Sequence, residues 1–402
     1  MLKGIFRLGF TAWILILSVT VQAQVQDYSR WSIPESASPN QETLEFYLKR
    51  YLSDPGKYGQ YAAPGNAQPR TFKHRAVEEP RVVQAMKSSA LLSYLLVQHG
   101  EIAVDAVNPR FSDTINEKTK FYSMSMGKSI SAYVLGHAIC ANIVESLDHR
   151  VGDWPVLQGT LYRNTTLIDL VNMRAGDQRV VDNRRGLIKT GRQPNNFSIK
   201  SLADNELQGL DPDSAYFNYN SVNPNIVLNY VIYRSQGRFD QLMKQVFHDK
   251  VRVADSVFFL KQARGEESQG LARTTFYATR MDYLRIAQAM LEDWQADTCE
   301  GRFLKEVYAR RAAKQGDQMQ SSNPSGSFWA FRGYGGFFHT DYYNFNKRRN
   351  IIAMDGYGGQ MIVIDFDQSR IVATHAVHNN YDWKALIADV IDTGKFRKYF
   401  WD

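Results

Sequence analysis

The sequence predicts an α+β fold: a mostly antiparallel sheet flanked by helices, with a helical lobe inserted between its strands. Three observations predict it. Strand-like segments cluster at residues 90–107 and again at about 325–380. Between them, residues 145–300 carry more helical than alternating pattern. A long, largely apolar helix, Ser125 to Val144, sits where the first strand group gives way to that stretch. Strands first and last with helices between put the two ends of the chain into one sheet.

The elements follow in order. Lys3 and Arg7 form a basic start, Leu8 to Val21 is apolar, and Val21-Gln22-Ala23 ends on a small residue before polar Gln24. This is the layout of a secretory signal peptide, with cleavage expected near Ala23. The other reading is an uncleaved N-terminal anchor, and both place the remainder outside the cytoplasm, in the periplasm or secreted. The apolar run of about 14 residues is short for a bilayer span of about 20. No Cys follows it, which excludes a lipoprotein anchor. The expected organisation is a signal peptide over 1–23, a polar extension over 24–84 and one large domain over 85–402, its helical lobe at about 125–300. The extension carries Pro34, Pro39, Pro55, Pro64, Pro69 and Pro80 and reads as surface loop around one short helix, Glu42–Leu52.

Ala90–Gln98 and Glu101–Val107 are strands joined by the turn His99-Gly100, a hairpin. Lys120–Met124 is a short extended approach to Ser125–Val144. That helix is too polar at Lys128 and His137 to cross a membrane and reads as central and buried. Thr166–Met173, Asn225–Gln236 and Thr279–Asp293 have helical pattern; Ser327–Tyr334, Arg349–Met354, Gln360–Phe366 and Arg370–His375 read as strands; Asp382–Phe400 closes as a helix.

Composition narrows the function. The chain has 402 residues, 44% hydrophobic and 22% charged, enough for a large core and unlike a disordered chain. Two Cys exclude a disulfide-framework mini-fold. Cys140, in an apolar helix, and Cys299, in a polar turn, could pair in an oxidising compartment, but an apolar helix position more often means a buried free thiol, which is the reading favoured. The net charge of +7 is dispersed in short groups such as Arg184-Arg185, Arg310-Arg311 and Lys347-Arg348-Arg349, with no stripe for nucleic acid. His375 and His378 are three apart in a strand and face opposite sides, so no metal site is expected. Arg332-Gly333-Tyr334-Gly335-Gly336 lacks the Lys-Ser/Thr of a phosphate loop and reads as a place where strands approach closely. No Gly-x-Ser-x-Gly elbow is present.

Ser125-Met126-Gly127-Lys128 is Ser-x-x-Lys. On a helix, i and i+3 share a face, so the amine stands beside the hydroxyl. A serine hydroxyl is a poor nucleophile until a base takes its proton, and a desolvated lysine can do so. The helix N-terminus adds N–H groups and a positive dipole end for a developing oxyanion. The tetrapeptide alone also fits an exposed pair at a helix start.

Further segments extend the pattern. Phe121–Ile130 around Ser125, then Leu167-Ile168-Asp169-Leu170-Val171-Asn172-Met173-Arg174-Ala175-Gly176, then Phe217-Asn218-Tyr219-Asn220-Ser221-Val222-Asn223, then Gly356-Tyr357-Gly358-Gly359-Gln360 occur in that order. Together they resemble the class C β-lactamase-like serine hydrolases, a family of penicillin-binding DD-peptidases, carboxylesterases and 6-aminohexanoate-dimer hydrolases. The resemblance spans about 85–400 and implies the β-lactamase/DD-peptidase-like fold. It implies that Ser125 is acylated, Lys128 is the general base, and Tyr219 relays the proton to the leaving group. The oxyanion hole would be the backbone N–H of Ser125 and Tyr357. Ser221 stands where the family usually has Asn, and Ser221, Asp355 and Gly356 would line the substrate.

The third motif departs from the penicillin-active members, which place a cation there to hold a carboxylate. Met354-Asp355-Gly356 offers none, and Asp355 would repel a carboxylate if it faced the site. Either the substrate is an ester or amide without that carboxylate, or it presents a cation to Asp355, or Asp355 points away. The expected function is an exported serine hydrolase acting on a small-molecule ester or amide, with no cofactor, nucleic acid or stable membrane partner. The alternatives are a peptidoglycan peptidase or β-lactamase, and a catalytically weak binding protein on the same scaffold.

Overall fold

A computed structural model describes residues 44–46, 48, 59–182, 187–188, 199–261, 271–314, 330–342 and 349–396. The expected export segment, the Arg184-Arg185 and Lys347-Arg348 groups, most of the helix expected at Glu42–Leu52 and the last residues of the closing helix lie outside them. All described residues fall within one unit, Trp31–Asp402.

The strands are β1 Gln60–Ala63, β2 Lys73–His74, β3 Leu91–Gln98, β4 Glu101–Val107, β5 Lys120–Tyr122, β6 Val181–Asp182, β7 Leu187–Ile188, β8 Val257–Lys261, β9 Ala272–Thr279, β10 Ala312–Ala313, β11 Phe331–Gly335, β12 Phe338–Tyr342, β13 Ile351–Gly356, β14 Gln360–Asp365 and β15 Arg370–Ala376. The helices that bear on the site are α1 Pro80–Ser88, α2 Met126–Cys140, α3 Leu167–Val171, α4 Val222–Arg234, α5 Arg280–Ala296, α6 Cys299–Ala309 and α7 Asp389–Thr393.

The large sheet has the order β10-β11-β12-β13-β14-β15-β3-β4-β2. Every pair in it is antiparallel except β2 with β4. The expected hairpin β3–β4 and the C-terminal strands meet where β15 pairs with β3, Thr374 opposite Tyr94. The α+β architecture read from the two strand groups, a mostly antiparallel sheet built from both ends of the chain, is the one observed. Alternation assigns the faces. Tyr94, Leu96, Ala353, Val363 and Val372 join Val82 and Met86 of α1 and Val390 and Ile391 of α7 in one cluster. The opposite face carries α2, against β13 and β14, and α5, against β14 and β15.

Helix α2 is buried on every side from Met126 to Ala138, as expected for a helix apolar on most of its circumference, with Lys128, Ser129, Ser131 and His137 buried among the apolar residues. Two glycines let it sit so deep. A Cβ on Gly127 would lie 1.9 Å from the Thr274 carbonyl oxygen of β9, and one on Gly136 would lie 2.6 Å from the Phe303 ring of α6.

Two expectations are corrected. Residues 59–80 are not loop throughout: β1 pairs with β8 and β2 with β4, segments too short to show a period. The stretch 145–300 is mainly helical, as its pattern indicates, and it also contributes β8 and β9, which with β1 and β5 form a second sheet, β1-β8-β9-β5. Cys140 and Cys299 are not free thiols but a disulfide. Cys299 lies in the first turn of α6, not in a turn, with Thr298 Oγ accepting from the Gly301 N–H at 3.1 Å. Packing α6 on the C-terminal end of α2 brings together cysteines 159 residues apart, a proximity no local pattern encodes.

Candidate active site

Strand β5 delivers the chain to Ser125. Ser123 extends β5 toward β9: its N–H donates to Phe276 O at 2.9 Å and its hydroxyl accepts from Phe276 N–H at 3.0 Å. Met124 then takes φ 48°, a left-handed turn unusual for a side chain of this kind. Ser125 follows at the N-terminus of α2, where its hydroxyl does not cap the helix. Lys128 Nζ donates to Ser125 Oγ at 2.9 Å, and Lys128 is only 6% exposed. The expected Ser–Lys contact is therefore made, in a buried place.

Tyr219 arrives from the loop before α4. Its neighbours Asn218 and Asn220 both donate to the buried Asp177 carboxylate, at 2.7 and 3.1 Å, and Tyr162 O–H donates to the same group at 2.8 Å. Burial pushes the Asp177 carboxyl up from its ordinary range, against these donors. Asn218 N–H also donates to Met173 O at 2.7 Å, and Asn220 Oδ1 accepts from Val222 and Asn223 N–H, capping α4. Tyr219 is thus clamped on both sides. Lys128 Nζ stands 4.9 Å from its ring centroid, so Ser125, Lys128 and Tyr219 form one cluster.

Gly356, at the end of β13, abuts the approach to the serine: an added Cβ would lie 2.7 Å from Ser123 O. This places the next residue, Tyr357, beside the same turn. Neither the Ser125 nor the Tyr357 N–H has a hydrogen-bond partner among the described residues. The Tyr357 side chain is 54% exposed. Met354 is fully buried, while Asp355 is half-buried and its charge acts on Lys314, Tyr334 and Tyr381. Ser221 occupies the N-cap position of α4 without a side-chain cap, and its hydroxyl makes no hydrogen bond among the described residues.

The hairpin β11–β12 closes another side. Ser129 O–H donates to Phe337 O at 2.6 Å, and Phe337 N–H donates to Val171 O at 2.8 Å, tying the hairpin to α2 and α3. The Gly-rich stretch does serve a close approach: a Cβ on Gly335 would lie 2.5 Å from Val307 O of α6. From this hairpin Tyr334 packs edge-on against Tyr219, centroids 5.8 Å apart, and His339 packs against Tyr334 at 5.0 Å. Lys314, just past β10, meets His339 Nδ1 at 2.9 Å. Sequence reasoning gave no site role to Asp177, Tyr334, His339 or Lys314: Tyr334 and His339 share the β11–β12 hairpin, Asp177 and Lys314 lie on two other segments, and no motif joins the three. His375 lies away from any ligand cluster, fully buried between the rings of Phe121 and Tyr283 at 4.5 and 5.0 Å. Two polar clefts, of about 480 and 680 Å³, are lined by none of the residues of the Ser125 cluster.

Solved structures share this architecture. A Bacillus anthracis protein assigned as a 6-aminohexanoate-dimer hydrolase superposes with a TM-score of 0.62 at 12% identity, covering 88% of this chain and 98% of its own. The hydrolase EstCE1, which has promiscuous acyltransferase activity, gives 0.54 at 13%, covering 77% and 95%. A penicillin-binding protein of Bacillus halodurans gives 0.52 at 15%, covering 76% and 98%. At such identities the likeness is one of fold. No curated protein sequence matches the chain significantly. The family model described as Beta-lactamase matches residues 81–386, a span that contains the β5–α2 junction with Ser125 and Lys128, the loop bearing Tyr219 and the end of β13, and the chain belongs to that family.

Proposed function

We propose that the protein is an exported serine hydrolase that cleaves a small ester or amide through an acyl-enzyme on Ser125. The observation that carries this is the 2.9 Å contact of Lys128 Nζ with Ser125 Oγ at the start of a buried helix. Lys128, with its amine unprotonated, accepts the Ser125 proton as Oγ attacks the carbonyl carbon. The oxyanion forms within reach of the Ser125 and Tyr357 N–H groups, which have no hydrogen-bond partner among the described residues. As the tetrahedral intermediate collapses, the bond to the leaving alcohol or amine breaks and Tyr219 O–H gives that group a proton. Tyr219 regains its proton from Lys128, and water then releases the acyl group by the reverse path. The ring of Tyr219 beside Lys128 Nζ supports this relay.

An uncharged acyl group suits the third motif. Met354 is buried and carries no charge, and the Asp355 carboxylate answers Lys314 inside the protein. A substrate carboxylate would find no cation at that strand position. Family membership makes β-lactam or peptidoglycan substrates the competing reading, and a weak binding protein the other; the assembled Ser125–Lys128–Tyr219 cluster favours catalysis over the last. The basic and apolar N-terminal layout and the Cys140–Cys299 disulfide both support export to an oxidising compartment.

The test is hydrolysis of short p-nitrophenyl esters and of nitrocefin by the mature protein. Ester turnover is expected, with Ser125→Ala lowering kcat by at least about 10³-fold, and a fluorophosphonate probe is expected to label Ser125. Nitrocefin turnover above ester turnover would favour the β-lactamase reading. An unchanged ester rate in Ser125→Ala would remove the nucleophile assignment.

A further inference from the structure

Behind the Ser125 cluster lies a second buried lysine that the reaction above does not use. Lys314 is 5% exposed, and its backbone N–H is anchored on Arg332 O at 2.8 Å. A continuous set of contacts joins it to the nucleophile: Lys314 Nζ to His339 Nδ1 at 2.9 Å, His339 to Tyr334 at 5.0 Å, Tyr334 to Tyr219 at 5.8 Å, the Tyr219 ring to Lys128 Nζ at 4.9 Å, and Lys128 Nζ to Ser125 Oγ at 2.9 Å. Lys314 Nζ also stands 5.9 Å from the Tyr334 centroid. His339 feels both lysines, since the charges of Lys314 and Lys128, after burial itself, hold its pKa well below the ordinary histidine range.

We propose that Lys314 is a positioning residue of the hydrolytic site, whose charge, carried through His339 and Tyr334, controls the proton balance of Lys128 and Tyr219. This rests on the serine-hydrolase reading and adds an element to it. A buried amine of this kind is costly unless its charge is used or answered. The groups that face it are Arg332 and Tyr334 from β11, His339 from β12 and Asp355 from β13, with Lys128 of α2 and Tyr219 reached through His339 and Tyr334. Arg311, three residues before Lys314, is engaged outside this set by Asp341, at 2.6 and 3.0 Å. Burial, opposed by Asp355 and reinforced by Arg332, brings Lys314 down to about 7, so its charge changes near neutral pH.

The direction follows from the charges. An ammonium at Lys314 has only donors, so His339 Nδ1 must accept and the ring proton sits on Nε2. The same positive charge opposes a second one on Lys128 and favours the base form that Ser125 needs. It also favours a negative charge on Tyr219. Loss of the Lys314 charge therefore moves base activation to higher pH.

The experiment is the pH profile of kcat/KM for a p-nitrophenyl ester, and of the fluorophosphonate labelling rate of Ser125. Wild type, Ser125→Ala, Lys314→Met and Lys314→Arg are compared, with folding checked by thermal melting. The midpoint of the acid limb is expected to lie higher in Lys314→Met than in Lys314→Arg by about half to one pH unit, with wild type at or between them and plateau rates within about tenfold. Should the Met variant not fold, Lys314→Gln, which keeps a donor for His339, carries the same expectation. Identical midpoints, or a uniform loss of rate at every pH, would overturn the proposal while leaving the hydrolase reading intact. Full activity in Ser125→Ala would overturn both.

Discussion

The Ser125 hydroxyl meets Lys128 Nζ instead of capping the helix it opens, and this exchange is what sets the first turn of α2 apart from an ordinary helix start. Both residues, and Tyr219, were legible as residue types at motif spacing. Asp177 was not, because nothing local distinguishes it from the other acidic residues. It holds Tyr162, Asn218 and Asn220 by three hydrogen bonds, and the two asparagines bracket Tyr219. Asp177→Ala is expected to lose about 2–4 kcal/mol of stability, since three buried donors lose their acceptor. It is also expected to lower kcat about tenfold or more with a smaller change in KM, as Tyr219 loses its clamp. Urea unfolding and steady-state ester kinetics check this; wild-type kcat in a folded variant would show that Asp177 does not position Tyr219.

At the scale of elements, α2 and α6 are joined twice, by the Cys140–Cys299 disulfide and by His137 Nδ1 with Glu300 Oε1 at 3.3 Å. The hydrogen bond from His137 and, to a lesser degree, its charge bring the Glu300 carboxyl down to about 2 despite partial burial. The disulfide closes a loop spanning 159 positions, for which chain entropy suggests about 5 kcal/mol and measured removals cost about 2–5. Cys140→Ala with Cys299→Ala is expected to lower stability by that amount, and reductant is expected to shift the urea midpoint of the wild type but not of the double variant. Equal midpoints with and without reductant in the wild type would argue against the bond in solution. The sequence showed Cys140 on its helix, but local pattern does not say what packs against it: α6 has its own apolar face of Phe303, Leu304 and Val307, and its start at Cys299 read as a polar turn, so the partner went unseen. For the same reason β8 and β9 were unseen: their burial comes from pairing with β1 and β5, not from alternation that stands out alone.

At the scale of the whole molecule, acid stability reports how the buried titratable groups are held. Burial, with a smaller contribution from Arg280, lowers His375 to about 3, and neither ring nitrogen has a partner among the described residues. Above the ordinary value of about 6.5 the ring is neutral both folded and unfolded, so His375 then places no proton-linked burden on the fold. As pH falls from there toward 3, only the unfolded chain takes up the proton, and stability falls. Glu300 has the same sign over a lower window: its stabilisation is present above its ordinary value of 4.5 and is lost as pH falls toward 2. Stability is expected to drop by about 2–3 kcal/mol between pH 7 and 4.5 from His375 alone. His375→Phe, matching the aromatic surroundings, is expected to remove most of that drop at little cost at pH 7. Parallel pH–stability curves for the two proteins would show that His375 is not held neutral by the fold.

The order of elements, the largely apolar helix that opens at Ser125, the two strand groups that share one sheet and the Ser125, Lys128 and Tyr219 motifs were determined by the sequence itself. Each is written in local period or spacing, and local signals survive without knowledge of neighbours. Only the tertiary structure decided the second sheet, the Cys140–Cys299 pairing, the Asp177 clamp and the convergence of Lys314, His339 and Tyr334 behind Tyr219. Those depend on which segments and buried groups find partners far along the chain, 25 residues for Lys314 with His339 and 159 for the two cysteines, a choice settled by packing the whole core at once.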